Sequence, residues 1–306
     1  MTTMGDTDEP LARRGLSPDA APAPGSNPAP PSGAKSRAGR NLPAAIGVGA
    51  ALAALIIFSL LYQKEIWVGI ISVFLGIAMW EVTKRLRQAD ISVPFIPLFF
   101  GGQAMIWLTW PWGTAGSVGA FAATVVVCMI WRLLSQGLSS QPVNYLRDVA
   151  ITVFVAAWIP LFASFGALLV YPDNGAEQVF CLMLGVTFSD IGGYAAGVLF
   201  GKHPMVPAIS PKKSWEGLAG SLVVGTAAST LAVTFLLGHH PFVGIALGVM
   251  LVITGTLGDL VESQVKRDLG IKDMGTLLPG HGGIMDRLDS LLPSAVATWI
   301  VLTLFI

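Results

Sequence analysis

Charge is what this sequence has least of. Asp, Glu, Lys and Arg make up 12% of its 306 residues, about half of the roughly 25% usual for a soluble domain. With 53% hydrophobic residues and a mean hydropathy of +0.68, the chain falls outside the range of soluble enzymes and within that of polytopic membrane proteins. Lys and Arg balance Asp and Glu at 18 each, and basic residues do not interleave with aromatics, so no nucleic-acid partner is expected. Cys128 and Cys181 each stand alone in an apolar run; they read as small buried hydrophobes, without the spacing of a disulfide or zinc pair. The four histidines, His203, His239, His240 and His281, form no HExxH or comparable ligand pattern, which argues against zinc.

Apolar periodicity is missing from residues 1–41, where Pro, Ala, Gly and Ser dominate (LSPDAAPAPGSNPAPPSGAKS). This composition predicts a disordered cytoplasmic tail; it is too long and too polar at its start for a signal peptide. The remainder divides into N-terminal transmembrane helices over 42–172 and a C-terminal catalytic transmembrane region over 173–306. A span needs about 20 mainly apolar residues, and about nine candidates follow: 43–62, 66–83, 94–110, 113–133, 148–171, 177–200, 217–237, 241–262 and 289–306. The expected fold class is therefore an all-α polytopic membrane bundle. Gly-rich stretches such as AGSLVVGTAAST suit close helix packing in lipid. Trp67, Trp110, Trp112 and Tyr171 lie near span ends, where anchoring rings belong.

Basic residues orient the bundle. Arg13, Arg14, Lys35, Arg37 and Arg40 lie in the tail, and alternate connections carry Lys84, Arg85 and Arg87; Arg132 and Arg147; Lys202, Lys212 and Lys213; and Lys266, Arg267, Lys272 and Arg287. That places 17 of the 18 Lys and Arg on one side, with only Lys64 opposite. The positive-inside rule puts the amino terminus and these loops in the cytoplasm, in a protein of the cell membrane.

What charge there is gathers in one place. Residues 258–289, GDLVESQVKRDLGIKDMGTLLPGHGGIMDRLD, hold nine or more charged side chains between two apolar stretches. Ionisable groups beside a bilayer are costly and mark function. Asp259, Glu262, Ser263 and Lys266 share one helical stripe if the preceding span continues. Asp286 and Asp289, three apart, open the last span, where a helix N-terminus favours negative charge. Carboxylates from two helix ends suit partly hydrated Mg2+, the form in which that ion meets phosphates. A plainer reading makes Asp286 and Asp289 helix caps paired with Arg287 or Lys266, but it leaves the intramembrane Asp259 unexplained. The PGHGG turn, with Gly282 and Gly283, presents backbone N–H groups to phosphate. His281 reads equally as a general acid or as a structural hydrogen-bond donor, and Lys272 with Asp273 as substrate contacts or a surface ion pair. Upstream, SPKKSWEG offers Lys212, Lys213, Ser214 and Glu216 as substrate contacts on the same face, although the two lysines also fit a purely topological role. Asp190, inside the sixth span in TFSDIGGYAAG, needs a partner or an aqueous cavity; a nucleotide contact, a brace for a Lys and a further cation ligand all fit.

Residues 263–289 follow the pattern S-x-hydrophobic-K-R-x4-K-D-x-small-x2-hydrophobic-P-x-H-G-G-hydrophobic-x-D-R-hydrophobic-D without departure. This resembles the signature of the phosphatidate cytidylyltransferase (CDP-diacylglycerol synthase) family, and the likeness extends over about residues 180–306. The resemblance implies transfer of CMP from CTP to phosphatidate, an all-helical membrane fold with a cavity facing the cytoplasm, and commonly a homodimer. It also implies Mg2+ on Asp259 and Asp286, with K+ as a second cation. Catalytic roles are then expected for Asp259, Ser263, Lys266, Arg267, His281, Asp286, Arg287 and Asp289. Two other classes compete: a CTP-dependent lipid kinase, which shares parts of this chemistry, and a transporter, for which no inverted repeat is visible.

Overall fold

A computed structural model describes residue 47 and residues 54–277 and 282–306; the 1–41 tail, His281 and residues 43–53 of the expected first span (residue 47 apart) lie outside the described residues. The described chain is almost wholly helical, as expected. After helical residues 54–62 (α1) come α2 (Lys64–Gln88), α3 (Phe95–Trp107), α4 (Thr109–Gln136), α5 (Tyr145–Leu168), α6 (Gly175–Phe200), α7 (Trp215–Leu236), α8 (Pro241–Asp268) and α9 (Met285–Phe305). A small antiparallel hairpin, β1 (Pro204–Val206) with β2 (Ser210–Ser214), stands between α6 and α7; no strand was expected there.

Seven of these helices are long and apolar enough to cross a membrane among the described residues. Over the expected span at 94–110 the helix is shorter than expected: α3 has 13 residues, which rise only about 20 Å against a hydrocarbon core of about 30 Å. Pro94 sets the helix start, and residues 91–94 enter it without helical structure, so extended chain covers part of the distance. Pro160 removes a backbone donor from the middle of α5, and a wide π turn over Ala157–Leu161 absorbs it. In α4, Gly113 adopts φ 54°, breaking the helix one turn from its start.

Contacts sort the connections into two sets, as the charge pattern had. Lys64 Nζ donates to the Tyr171 and Pro172 carbonyls at 3.0 and 2.8 Å, and the Thr109 and Tyr171 hydroxyls meet at 2.8 Å. At the other end, Arg85 Nε donates to the Met274 carbonyl at 2.9 Å and Arg147 Nη2 to the Asp90 carbonyl at 2.5 Å. Trp67 departs from its expected anchoring role. It is buried, and its indole N–H donates to the Gly166 carbonyl at 3.0 Å, inside the α2–α5 contact. Trp110 and Trp112 are exposed, as interfacial rings should be. Cys128 and Cys181 are both free and buried.

The outer surface carries large apolar side chains such as Phe100, Val127, Phe235 and Leu304, the face a bilayer requires. Small residues let the helices meet inside. A Cβ on Gly192 of α6 would stand 2.6 Å from the Gly220 carbonyl oxygen of α7, and one on Gly220 would stand 2.5 Å from that of Gly192. The two backbones therefore touch, in the small-residue packing typical of membrane helices. At the basic end, buried Asp148 holds Arg132 Nη2 at 2.7 Å and Arg147 Nη2 at 3.0 Å. Removing one member of a buried charge group typically costs about 3–5 kcal/mol. Asp148→Ala should accordingly lower the thermal unfolding midpoint in detergent by several degrees, an effect that Asp148→Asn, which keeps the hydrogen-bonding oxygen, should partly relieve.

Candidate active site

Helices α6, α7, α8 and the start of α9 enclose a cavity of about 510 Å3, roofed in part by the hairpin. Its polar lining includes Asp190, Lys212, Lys213, Ser214, Thr256, Asp259, Lys266, Asp273, Asp286, Arg287, Asp289 and Ser290. About five helical turns after its start at Pro241, a first-turn proline suited to helix initiation, α8 still carries functional side chains, because the helix runs unbroken to Asp268. That continuity puts Asp259, Glu262 and Lys266 on the stripe expected from their spacing.

Three carboxylates converge. One oxygen from each of Asp259, Glu262 and Asp289 lies within 4.8 Å of the others. Glu262 is fully buried; one of its oxygens accepts from Lys266 Nζ, and the other has no hydrogen-bond partner among the described residues. An all-oxygen donor set with a buried, unsatisfied carboxylate oxygen fits a hard cation such as Mg2+. Positive side chains border the group: Lys213 Nζ lies 2.7 Å from Asp259 Oδ2, and Lys266 Nζ lies 3.0 Å from Asp286 Oδ1.

Asp286 has different company. Its Oδ2 accepts from Gly283 N at 2.7 Å, both oxygens accept from Met274 N at 3.2 Å, and Gly275 N approaches Oδ2 at 3.5 Å. The carboxylate thus gathers the two limbs of the polar segment around itself while still bordering the cavity. Gly282, at φ 80°, makes the turn that aims Gly283 N at it, a conformation that glycine tolerates best.

Other expected site residues fall into two groups. Asp190 opens into the cavity, which meets the requirement for an intramembrane carboxylate, and Lys212 and Asp273 line it as well. Ser214 does so while also capping α7, accepting from Gly217 N at 3.1 Å. Ser263, Arg267, Glu216 and Lys272 do not line it. Ser263 Oγ donates to Asp259 Oδ1 at 3.2 Å, and Arg267 Nε donates to the Ile209 carbonyl at 3.3 Å, tying the hairpin to α8. Glu216 is taken by His203, whose Nδ1 lies 2.5 Å from its Oε1; Lys272 is exposed. Sequence reasoning gave no site role to Glu262 and overlooked Thr256 and Ser290. Glu262 stood on the stripe already identified, and its position one turn below Lys266 was the available signal.

A second cavity of about 210 Å3 is lined almost entirely by apolar side chains, including Trp67, Phe74, Leu182, Met183 and Leu291; Arg287 borders both cavities.

The family model described as "Cytidylyltransferase family" matches residues 44–305. The chain belongs to the cytidylyltransferase family. It is 60% identical over 277 residues to the phosphatidate cytidylyltransferase of Mycobacterium bovis, covering 88% of this chain and 90% of that one. It is 60% identical over 279 residues to the protein of the same name in Mycobacterium leprae, covering 88% and 89%. Identity to the Haemophilus influenzae phosphatidate cytidylyltransferase is 31% over 277 residues, 82% of this chain and 93% of the relative. Membership of this family, together with seven helices able to span a bilayer, makes the cytidylyltransferase an integral membrane protein and a nucleotidyltransferase.

Proposed function

We propose that the protein transfers CMP from CTP to phosphatidate, giving CDP-diacylglycerol and pyrophosphate for phospholipid biosynthesis. The observation that carries this reading is the juxtaposition of a polar cavity, holding converging carboxylates and lysines, with an apolar one across Arg287. A lipid phosphate has both environments within reach there. The cavity is proposed to face the cytoplasm of the cell membrane, because the basic loops lie at its end, and the chain is proposed to work as a homodimer.

Both substrates are anions, and bringing their phosphates together is the main barrier. Mg2+, when bound, supplies a Lewis acid and template for the CTP phosphates. Asp259 and Asp286 are the proposed ligands, with Glu262 and Asp289 beside Asp259 and K+ as a second cation nearby. Lys213, Lys266 and Arg287 offset phosphate charge as it develops. Lys212, Asp190 and Asp273 border the space for nucleotide. A phosphatidate phosphate oxygen forms the new bond to the α-phosphorus of CTP, the bond from that phosphorus to the bridging oxygen breaks, and pyrophosphate leaves with the electron pair. The attacking oxygen is already ionised near neutrality, so the residues act by orientation and charge, without a covalent intermediate.

Purified protein given phosphatidate, CTP and Mg2+ should release pyrophosphate and form a cytidine-bearing lipid in equal amounts, and EDTA should stop both. Release of CDP with a new lipid phosphate monoester would instead make the protein a lipid kinase.

A further inference from the structure

A carboxylate in the second helix, far from the polar segment in sequence, lies directly against it. Glu81 of α2 is 2% exposed. Its Oε2 accepts a hydrogen bond from Met285 N at 3.0 Å. One turn later on the same face, Arg85 donates from Nε to the Met274 carbonyl at 2.9 Å and from Nη2 to the Asp273 carbonyl at 3.4 Å. Two side chains of one helix therefore grip both limbs of the segment, residues 273–274 on one side and residue 285 on the other. Between those limbs lies the Asp286 carboxylate with its ring of backbone donors.

The glycines around it are shaped to this contact. A Cβ on Gly275 would run into the Glu81 carboxylate, and one on Gly283 would stand 2.5 Å from Glu81 Oε2 and 2.7 Å from Gly275 N. Gly275 and Gly283 thus make room for a side chain from another helix, a reason for glycine that needs no ligand. A buried carboxylate in a span carries a heavy desolvation penalty, and a plain wall of the bundle would be served as well by leucine. The hydrogen bond from Met285 immediately precedes Asp286 and Arg287 in the chain, so a shift of the Met285 amide moves both.

We propose that Glu81, assisted by Arg85, is a positioning residue: it fixes the backbone at Met285 so that Asp286 and Arg287 meet the reacting phosphates in register. The proposal rests on the catalytic reading of Asp286 and Arg287 given above. Misplacement of a catalytic group by about 1 Å can lower rate about 10²-fold, so Glu81→Ala should lower kcat by about that factor. KM for phosphatidate should stay within about threefold, because the apolar cavity is untouched. Glu81→Gln keeps a carbonyl oxygen at the same reach for Met285 N and should recover kcat to within about fivefold of the parent. Rates are taken per folded molecule, counted from the monodisperse fraction in detergent. Should Glu81→Ala fail to accumulate, Arg85→Met serves in its place, with kcat expected to fall about tenfold at unchanged KM. A kcat within twofold of the parent in Glu81→Ala, or in Arg85→Met where that variant serves instead, overturns the proposal, as does equal loss in Glu81→Ala and Glu81→Gln. Asp286→Asn separates the two levels of inference. If it is inactive while Glu81→Ala turns over normally, the positioning role is wrong; if it is itself fully active, the catalytic reading of the segment is wrong.

Discussion

Asp259→Asn should lose turnover by about 10³-fold or more while the protein remains inserted and folded. The estimate combines the loss of one charged ligand in a cation-assisted transfer, worth several kcal/mol of transition-state stabilisation, with the scale of effect found when a single preorganised electrostatic contact is removed. Asparagine matches the volume of aspartate, and the Asp259 side chain is 38% exposed to the cavity, so packing is barely disturbed. What changes is charge: Asp259 is the carboxylate common to the pair implied by the family resemblance and to the observed group with Glu262 and Asp289. Lys213, 2.7 Å away, would be left facing a neutral amide. Pyrophosphate release measured across a Mg2+ titration tests this; turnover within tenfold of the parent at any Mg2+ concentration would remove Asp259 from the cation site.

Lys266→Met should be the most destabilising change in the polar segment. Lys266 Nζ joins Glu262, which is fully buried, to Asp286, whose side chain is 6% exposed. Taking the ammonium away leaves two carboxylates in a poorly solvated place, a change of about 3–5 kcal/mol where a buried pair is broken. The thermal transition in detergent should fall clearly below that of the parent, and activity should be lost even in the folded fraction. A second substitution sharpens the test. Lys266→Met combined with Glu262→Gln removes one of the stranded charges, so stability should partly return while activity should not. A single variant as stable as the parent would mean that the two carboxylates find other compensation.

Elements set by local chemistry were legible in the sequence, because a run of apolar residues bounded by charge has few alternatives in a bilayer. The stripe of Asp259, Glu262, Ser263 and Lys266 is of this kind: helical spacing alone put them together, and α8 continues far enough to do so. So is Asp190, whose charge inside a span required the cavity that it borders. Features decided by contacts between distant segments were not legible. Trp67 looked like an interfacial ring by its place near a span end, yet the Gly166 carbonyl of α5 makes a better partner than the headgroup region. Helix α3 looked like a span by composition, although it ends at Trp107 and the chain enters α4 at Thr109. Glu81 was given no role from the sequence, since nothing near it points to the polar segment, and only the fold shows Met285 as its partner. Asp148 is similar, its two arginines arriving from α4 and from the residue before it.

The hydrogen bond between Glu81 and Met285 joins residues 204 positions apart, which makes the signature at the carboxyl end less portable than its compact pattern suggests. Transplanting residues 263–289 into another helical scaffold would carry over every side chain that the pattern specifies and leave behind the strut that holds it in shape. Chimaeras that exchange the early helices between relatives would have to exchange Gly275 and Gly283 in step with them.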